Sequence, residues 1–102
     1  MTARVSISAS AEAQATTVDL WWQVNRRDAP GLFWDEFLEA IDTLETAPAF
    51  GERYHRGGEQ LRRFLLPKTR YHLYYSLTEG APPEVVIVAV WSALRGQPPL
   101  VE

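Results

Sequence analysis

In the first half of the chain, hydrophobic residues recur first with the period of a strand and then with the period of a helix. Val5 and Ile7 alternate with polar residues over positions 4–8, which predicts a short strand with one buried face. After Ser10, a candidate N-cap, apolar residues recur at helical steps as far as Arg27. A second helical stripe begins after a candidate N-cap at Asp28 and ends before Pro48. Two amphipathic helices joined by so few residues are expected to pack as an antiparallel hairpin.

The second half of the chain has the pattern of strands. Residues 48–60 are rich in Gly and Pro and are predicted to form a loop, and three strands are predicted at 61–66, 71–77 and 85–91. The last of these is apolar at every position, which is typical of an interior strand covered on both faces. Residues 92–102 are predicted to be an irregular tail. The sequence therefore predicts one α+β domain over residues 1–102, of order βααβββ, with a helical hairpin on one face of a small, mostly antiparallel sheet.

Composition narrows the class of protein. The chain has 102 residues and no cysteine, so disulfides, thiolate nucleophiles and cysteine-based zinc sites are excluded. No apolar run approaches the ~20 residues that span a bilayer, and the N-terminus lacks the apolar stretch of a signal peptide. A cytoplasmic protein that does not contact membranes is the expectation.

Charge is distributed unevenly along the chain. The net charge is −3, yet residues 53–70 are strongly basic. Their basic residues are Arg53, Arg56, Arg62, Arg63, Lys68 and Arg70, against the single acid Glu59. Aromatic residues are interleaved with them, so this stretch is suited either to stacking on nucleic-acid bases or to gripping carboxylates. The alternative is that strand alternation sends Arg62 and Arg63 to opposite faces, where they serve only the solubility of an edge strand.

Candidate chemistry is otherwise sparse. The chain has no glycine-rich phosphate loop and no zinc-protease or serine-hydrolase motif. Two histidines, His55 and His72, are too few for most imidazole-rich metal sites, so no metal and no cofactor is expected. Trp21 and Trp22 lie about 100° apart around the first helix, so one is predicted to pack inward and the other to lie at a boundary.

The ordered set of segments resembles the RelE/ParE superfamily of type II toxin–antitoxin toxins over nearly the whole chain. The resemblance is carried by the βααβββ order and by three segments of sequence. These are Leu-Glu-Thr-Ala-Pro-Ala-Phe-Gly at 44–51, Leu-Arg-Arg-Phe-Leu-Leu-Pro-Lys-Thr-Arg-Tyr-His-Leu-Tyr-Tyr at 61–75 and Val-Ala-Val-Trp-Ser-Ala-Leu-Arg-Gly at 88–96.

The resemblance implies one of two activities. RelE-like members are ribosome-dependent endoribonucleases, and ParE-like members poison DNA gyrase. In this sequence His72 stands where the nucleases have an arginine, Leu65 replaces a basic residue beside Arg63, and only Arg95 follows the last strand. This depleted set favours a ParE-like toxin that stabilises a gyrase–DNA complex by protein–protein binding, causes growth arrest and stabilises plasmids.

The resemblance also implies partners. A cognate antitoxin with a flexible acidic segment is expected to neutralise the toxin in a hetero-oligomer, without direct sequence-specific nucleic-acid binding by the toxin. The candidate antitoxin contacts are Arg53, Arg56, Arg62, Arg63, Arg70, Trp21 and Trp22, and the candidate target contacts are Trp91 and Arg95. Two alternatives stay open: a RelE-like endoribonuclease using His72, Arg63 and Arg95, and an inactive relative that only binds its antitoxin.

Overall fold

A computed structural model describes residues 2–56 and 58–94 of the chain. It contains two helices, α1 (Ala9–Asn25) and α2 (Leu32–Thr46). The strands are β1 (Arg4–Ile7), β2 (Glu52–Arg56), β3 (Glu59–Leu66), β4 (Tyr71–Thr78) and β5 (Glu84–Ser92). The strands form one sheet in the order β1-β5-β4-β3-β2, in which only the β1–β5 pair is parallel. The predicted α+β fold with a mostly antiparallel sheet is confirmed.

The hydrophobic core lies between the two helices and one face of the sheet. Phe33, Phe37 and Leu44 of α2 are fully buried, as are Leu73 and Tyr75 of β4. Ala11 and Ala15 of α1 are also buried, and their small side chains let this helix approach β5 closely. The predicted helical hairpin on one sheet face is therefore present, and the apolar β5 is interior to the sheet, between β1 and β4.

The helix boundaries differ slightly from the predicted ones. Ser8, not Ser10, caps α1, because its hydroxyl oxygen accepts a hydrogen bond from the Ala11 amide at 3.1 Å. α1 ends at Asn25, two residues before the predicted end. α2 begins only at Leu32, after Gly31 rather than after Asp28, and no side chain caps it.

The prediction of a loop over residues 48–60 is wrong for its second part. Residues 52–56 form β2, which pairs antiparallel with β3, so the sheet has one strand more than predicted. β3 correspondingly begins at Glu59, earlier than the predicted Leu61. Pairing with β3 supplies hydrogen-bond partners for the backbone of this polar segment, although turn-forming residues flank it.

Only the start of the predicted irregular tail falls within the described residues. Ser92 is the last residue of β5, and Ala93 and Leu94 form a turn. Residues 95–102 lie outside the described residues. Within the described part of the chain, neither helix is long and apolar enough to cross a membrane.

Candidate functional site

The sheet has a second face, opposite the helices, on which an unusual set of polar and aromatic side chains meets. Residues paired directly across a ladder share a face. Arg63 of β3 is paired with Glu52 of β2 and with Tyr74 of β4. His72 lies two residues before Tyr74 on β4, and Tyr54 lies two residues after Glu52 on β2, so strand alternation places all five side chains on this face. We call these residues, Glu52, Tyr54, Arg63, His72 and Tyr74, the second-face cluster.

Arg63 is at the centre of the cluster. Its Nε donates to the Glu52 carboxylate in an ion pair, and its guanidinium carbon lies 5.1 Å from the centroid of the Tyr54 ring. On its other side Arg63 faces Tyr74, its partner in the β3–β4 ladder. Partial burial opposes the charge of this guanidinium, but Glu52 and Tyr74 together outweigh that effect and raise the pKa of Arg63. The guanidinium of Arg63 therefore stays charged, with Glu52 as its counter-ion.

His72 is half-buried beside Arg63. Its ring lies 5.8 Å from that of Tyr74, which in turn contacts Tyr54 edge to face at 5.2 Å. Burial lowers the pKa of His72 below its ordinary value, and the positive charges of Arg63 and Arg70 lower it further, against a smaller opposing effect of Glu52. At neutral pH the imidazole is therefore uncharged and able to accept a proton.

This arrangement has the components of proton transfer and anion binding. A neutral imidazole acts as a general base, and a guanidinium stabilises negative charge that develops on a phosphate. The ring of Tyr54, which is only partly buried, offers a surface for base stacking, whereas Tyr74 is 2 % exposed and serves to position Arg63. Among the described residues, no group of three or more His, Asp or Glu side chains is placed to hold a metal ion.

The structure does not bring the predicted basic residues together on one surface. Arg62 is paired with Tyr75, a core residue, so its side chain leaves the sheet on the helix side, opposite Arg63. Arg53 faces Arg62 across the β2–β3 ladder and shares that side. Arg70 is exposed in the β3–β4 turn with a φ of 65°. Alternation has thus separated Arg62 from Arg63, as the solubility alternative anticipated.

Arg62 is anchored by backbone carbonyl groups. Its Nη1 donates to the Gly51 carbonyl at 2.8 Å and to the Ala49 carbonyl at 3.1 Å. Among the side chains that the structure describes, no carboxylate lies within ion-pair distance of Arg62 or of Arg53. The two arginines line a cavity together with Glu79. Because two cations share one acid there, the pair is suited to bind a further carboxylate.

The remaining predicted site residues fall in different places. Trp22 is 9 % exposed in the core and is not available as a surface anchor, whereas Trp21 is 46 % exposed, as the prediction of one inward and one boundary tryptophan required. Trp91 is paired with His72 and so shares the second face. The side chain of Arg56 and the whole of Arg95 lie outside the part of the chain that the structure describes.

Sequence reasoning did not assign Glu52, Tyr54 or Tyr74 to a site, although Tyr54 and Tyr74 belong to the aromatic residues interleaved with the basic ones. Glu52 and Tyr54 were not placed on the sheet because their segment was interpreted as a loop. Recognising Gly58 as a turn residue between two polar strands would have placed Glu52 opposite Arg63 and Tyr54 opposite Leu61. Alternation along the predicted strand 71–77 puts Tyr74 on the same face as His72, but nothing in the sequence ties Tyr74 to Arg63.

A groove also lies between α1 and the ends of β4 and β5. Its volume is about 530 Å³, and its lining includes Gln14, Val18, Trp21, Tyr71 and Val90. Tyr71 is the residue before His72, so the groove and the second-face cluster lie at the same end of the sheet on opposite faces.

Comparison of the chain with models of known protein families and with curated proteins found no match.

Proposed function

We propose that this protein is the toxin of a type II toxin–antitoxin module and that it acts as an endoribonuclease. The observation that carries the proposal is the second-face cluster, in which one cation, one neutral imidazole and a partly exposed tyrosine ring lie together. The sequence favoured gyrase inhibition because its basic set is depleted. The cluster supports the nuclease alternative instead, since Glu52, Tyr54 and Tyr74 add to Arg63 and His72.

The reaction that these groups support is attack of a ribose 2′-hydroxyl on the adjacent phosphate. Neutral His72 takes the 2′-hydroxyl proton while the 2′-oxygen forms its bond to phosphorus and the bond to the 5′-oxygen breaks. The leaving 5′-oxygen takes a proton from water, and the products are a 2′,3′-cyclic phosphate and a 5′-hydroxyl end.

Arg63 has the second role in this reaction. In the free protein its charge is balanced by Glu52. An exposed ion pair contributes little free energy, so the phosphodiester of a bound RNA, which also carries one negative charge and accepts two hydrogen bonds from a guanidinium, is able to replace the carboxylate as the partner of Arg63. Arg63 then stabilises the charge that develops on the non-bridging oxygens in the transition state.

The partner that the proposal requires is an antitoxin with an acidic segment. The Arg53–Arg62 pair supports this expectation, because both guanidiniums lack a carboxylate within ion-pair distance among the described side chains and Arg62 is held in place by two backbone carbonyls. Charge reversal at Arg62 is expected to weaken antitoxin binding by several kcal/mol if the contact is desolvated. The same change at Arg4, which is exposed on β1 at the other edge of the sheet, is the matched control.

Inducible expression tests the proposal in cells. Growth arrest accompanied by new 5′-hydroxyl ends in messenger RNA, with DNA supercoiling unchanged, is the expected result. An inactive relative would give no growth arrest, and this outcome would contradict the proposal.

Inhibition of DNA gyrase is the second candidate, and one observation favours it. The solvent side of α1 exposes Leu20, Trp21 and Val24 with fractions of 55 %, 46 % and 68 %, which is typical of a surface that contacts another protein. Loss of supercoiling activity when purified gyrase is mixed with the toxin, without any RNA cleavage, would establish this candidate in place of the nuclease.

A further inference from the structure

Among the described residues, those that line the groove beside α1 carry no formal charge. Apolar residues, among them Val18 and Val90, make up part of it, and aromatic side chains, including Trp21 and Tyr71, make up another. Its volume of about 530 Å³ lies within the range of small-molecule sites. A ligand that enters it must therefore be neutral at the point of contact, because a charged group would lose its hydration without gaining a partner.

The polar groups in the groove are few and are fixed in direction. The Oε1 atom of Gln14 accepts a hydrogen bond from the Val90 amide at 2.8 Å, which leaves the amide nitrogen of Gln14 as a donor. Thr17 donates its hydroxyl proton to the Ala13 carbonyl at 3.0 Å and so retains acceptor capacity. Ser92 accepts from the Leu94 amide at 3.2 Å and keeps its own proton to donate. The groove thus offers both donors and acceptors.

The two aromatic side chains are held by neighbours. The Trp21 ring contacts Trp22 edge to face at 6.1 Å, and the guanidinium carbon of Arg26 lies 5.4 Å from its centroid. Tyr71 packs edge to face on Phe33 at 5.4 Å. A half-exposed tryptophan that is already held in place loses little conformational freedom when a flat ring stacks on it.

The position of the groove connects it to the second-face cluster. Tyr71 is paired with Ser92, and the next pair along the same ladder is His72 with Trp91. Exposed Arg70 comes immediately before Tyr71, at the end of the sheet where the two faces meet. A strand of RNA that crosses this end passes from the groove, over a positive charge, to His72.

We propose that the groove binds a nucleobase of the RNA, with its ring stacked on Trp21 and its edge hydrogen-bonded to Gln14, Thr17 and Ser92. This inference rests on the proposed nuclease function, since the base belongs to the same strand that His72 cuts. A nucleobase fits because it is flat, uncharged and carries donors and acceptors on its edge. The apolar side chain of a protein partner would leave these polar groups without partners.

Binding of a tetranucleotide with 2′-O-methyl riboses tests the inference, because this probe cannot be cut. We expect shifts in the NMR signals of Gln14, Trp21 and Tyr71 on titration, and roughly tenfold weaker binding by Trp21→Ala, the loss typical of one stacked base. Gln14→Glu keeps an oxygen that accepts from the Val90 amide but removes the side-chain N–H donor. This change is expected to weaken binding by roughly fivefold, the effect of a lost hydrogen bond. Trp34→Ala is the matched control, since Trp34 is 40 % exposed on α2 and is not part of the groove lining.

The outcomes separate this inference from the proposed function. If the probe binds in the groove and loses affinity with Trp21→Ala while unmodified RNA is never cut, the groove assignment holds and the nuclease fails. If RNA is cut but Trp21→Ala binds the probe as tightly as the wild type, the nuclease holds and the groove assignment is overturned. Binding of the probe at the second-face cluster alone, with no shift in the NMR signals of the groove residues, overturns the groove assignment as well.

Discussion

Glu52 and Arg63 face each other across the β2–β3 ladder, and their side chains form an ion pair on the face of the sheet opposite the helices. Both are accessible, with Glu52 61 % and Arg63 33 % exposed, so the pair contributes little to folding. The ion pair matters for the proposed reaction, because the Glu52 carboxylate binds the same guanidinium that a phosphate would bind.

Glu52→Gln removes the charge of that carboxylate and keeps its shape. We expect the free energy of unfolding to change by less than about 1 kcal/mol, as is typical of exposed ion pairs. Affinity for uncleavable RNA should rise, since Arg63 then has no anion to exchange. Titration of the tetranucleotide against wild type and Glu52→Gln measures this, with Glu59→Gln on β3 as a control that has no ion pair among the described residues. Weaker binding by Glu52→Gln would mean that the carboxylate itself contacts the RNA.

The pKa of His72 predicts how stability depends on pH. In the folded state, burial and the nearby arginines lower this pKa below its ordinary value of 6.5. At pH values between the folded pKa and 6.5, the unfolded chain therefore binds more protons than the folded one. Stability from this group is therefore complete above pH 6.5 and is lost as the pH falls through the folded pKa. Urea unfolding of wild type and His72→Gln between pH 5 and pH 7.5 measures the effect, and the wild type should lose more stability toward pH 5. Equal loss in both proteins would show that other groups cause the dependence.

Glu36 holds the β3–β4 turn from within the protein. Although only 6 % exposed, its carboxylate accepts hydrogen bonds from the amides of Lys68 and Thr69, each at 2.8 Å, and from the Thr69 hydroxyl at 2.7 Å. Glu36→Ala leaves these donors without partners and is expected to cost about 2–4 kcal/mol of unfolding free energy. Thermal or urea unfolding checks the value, and Glu39→Ala, three residues along on the exposed side of α2, should change stability by less than about 0.5 kcal/mol. Similar losses in both variants would contradict this account of the turn.

Gly51 is required by the packing around Tyr75. The Tyr75 hydroxyl accepts from the Gly51 amide at 2.9 Å and donates to the Pro48 carbonyl at 2.8 Å. A Cβ at position 51 would lie 2.7 Å from both the Arg63 carbonyl oxygen and the Tyr75 hydroxyl. Gly51→Ala is therefore expected to destabilise the fold by about 1–3 kcal/mol, the cost of overpacking. Gly31→Ala, where the nearest side-chain atom lies 3.9 Å away, is the control, and equal stability of the two variants would refute the packing argument.

The helices and the central strands were predictable because their patterns are strong. Phe33, Phe37 and Leu44 repeat at helical spacing, and the run from Val85 to Trp91 has no polar residue, so burial alone decides their conformations. β2 was not predictable in this way. Its sequence, Glu-Arg-Tyr-His-Arg, has no apolar alternation, and it is a strand only because β3 lies beside it.

The candidate site depended on pairing between strands, which sequence patterns do not give. Alternation within β4 was enough to place His72 and Tyr74 on one face. The position of Arg63 beside Tyr74 follows from the β3–β4 register, and Glu52 joins them only through the β2–β3 register. The basic residues of 53–70 are close in sequence but separated in space, because adjacent residues of a strand point to opposite faces.

Cleavage of messenger RNA on translating ribosomes by the purified protein tests the central claim most directly. The claim predicts cleavage by the wild type that leaves 5′-hydroxyl ends and that declines with falling pH only below the range of an ordinary imidazole, because burial lowers the pKa of His72. It predicts loss of cleavage by at least about 100-fold in His72→Ala, the usual contribution of a general base, and full activity in His55→Ala, whose histidine is exposed on β2. Equal cleavage by His72→Ala and His55→Ala, or no cleavage by the wild type, would contradict it.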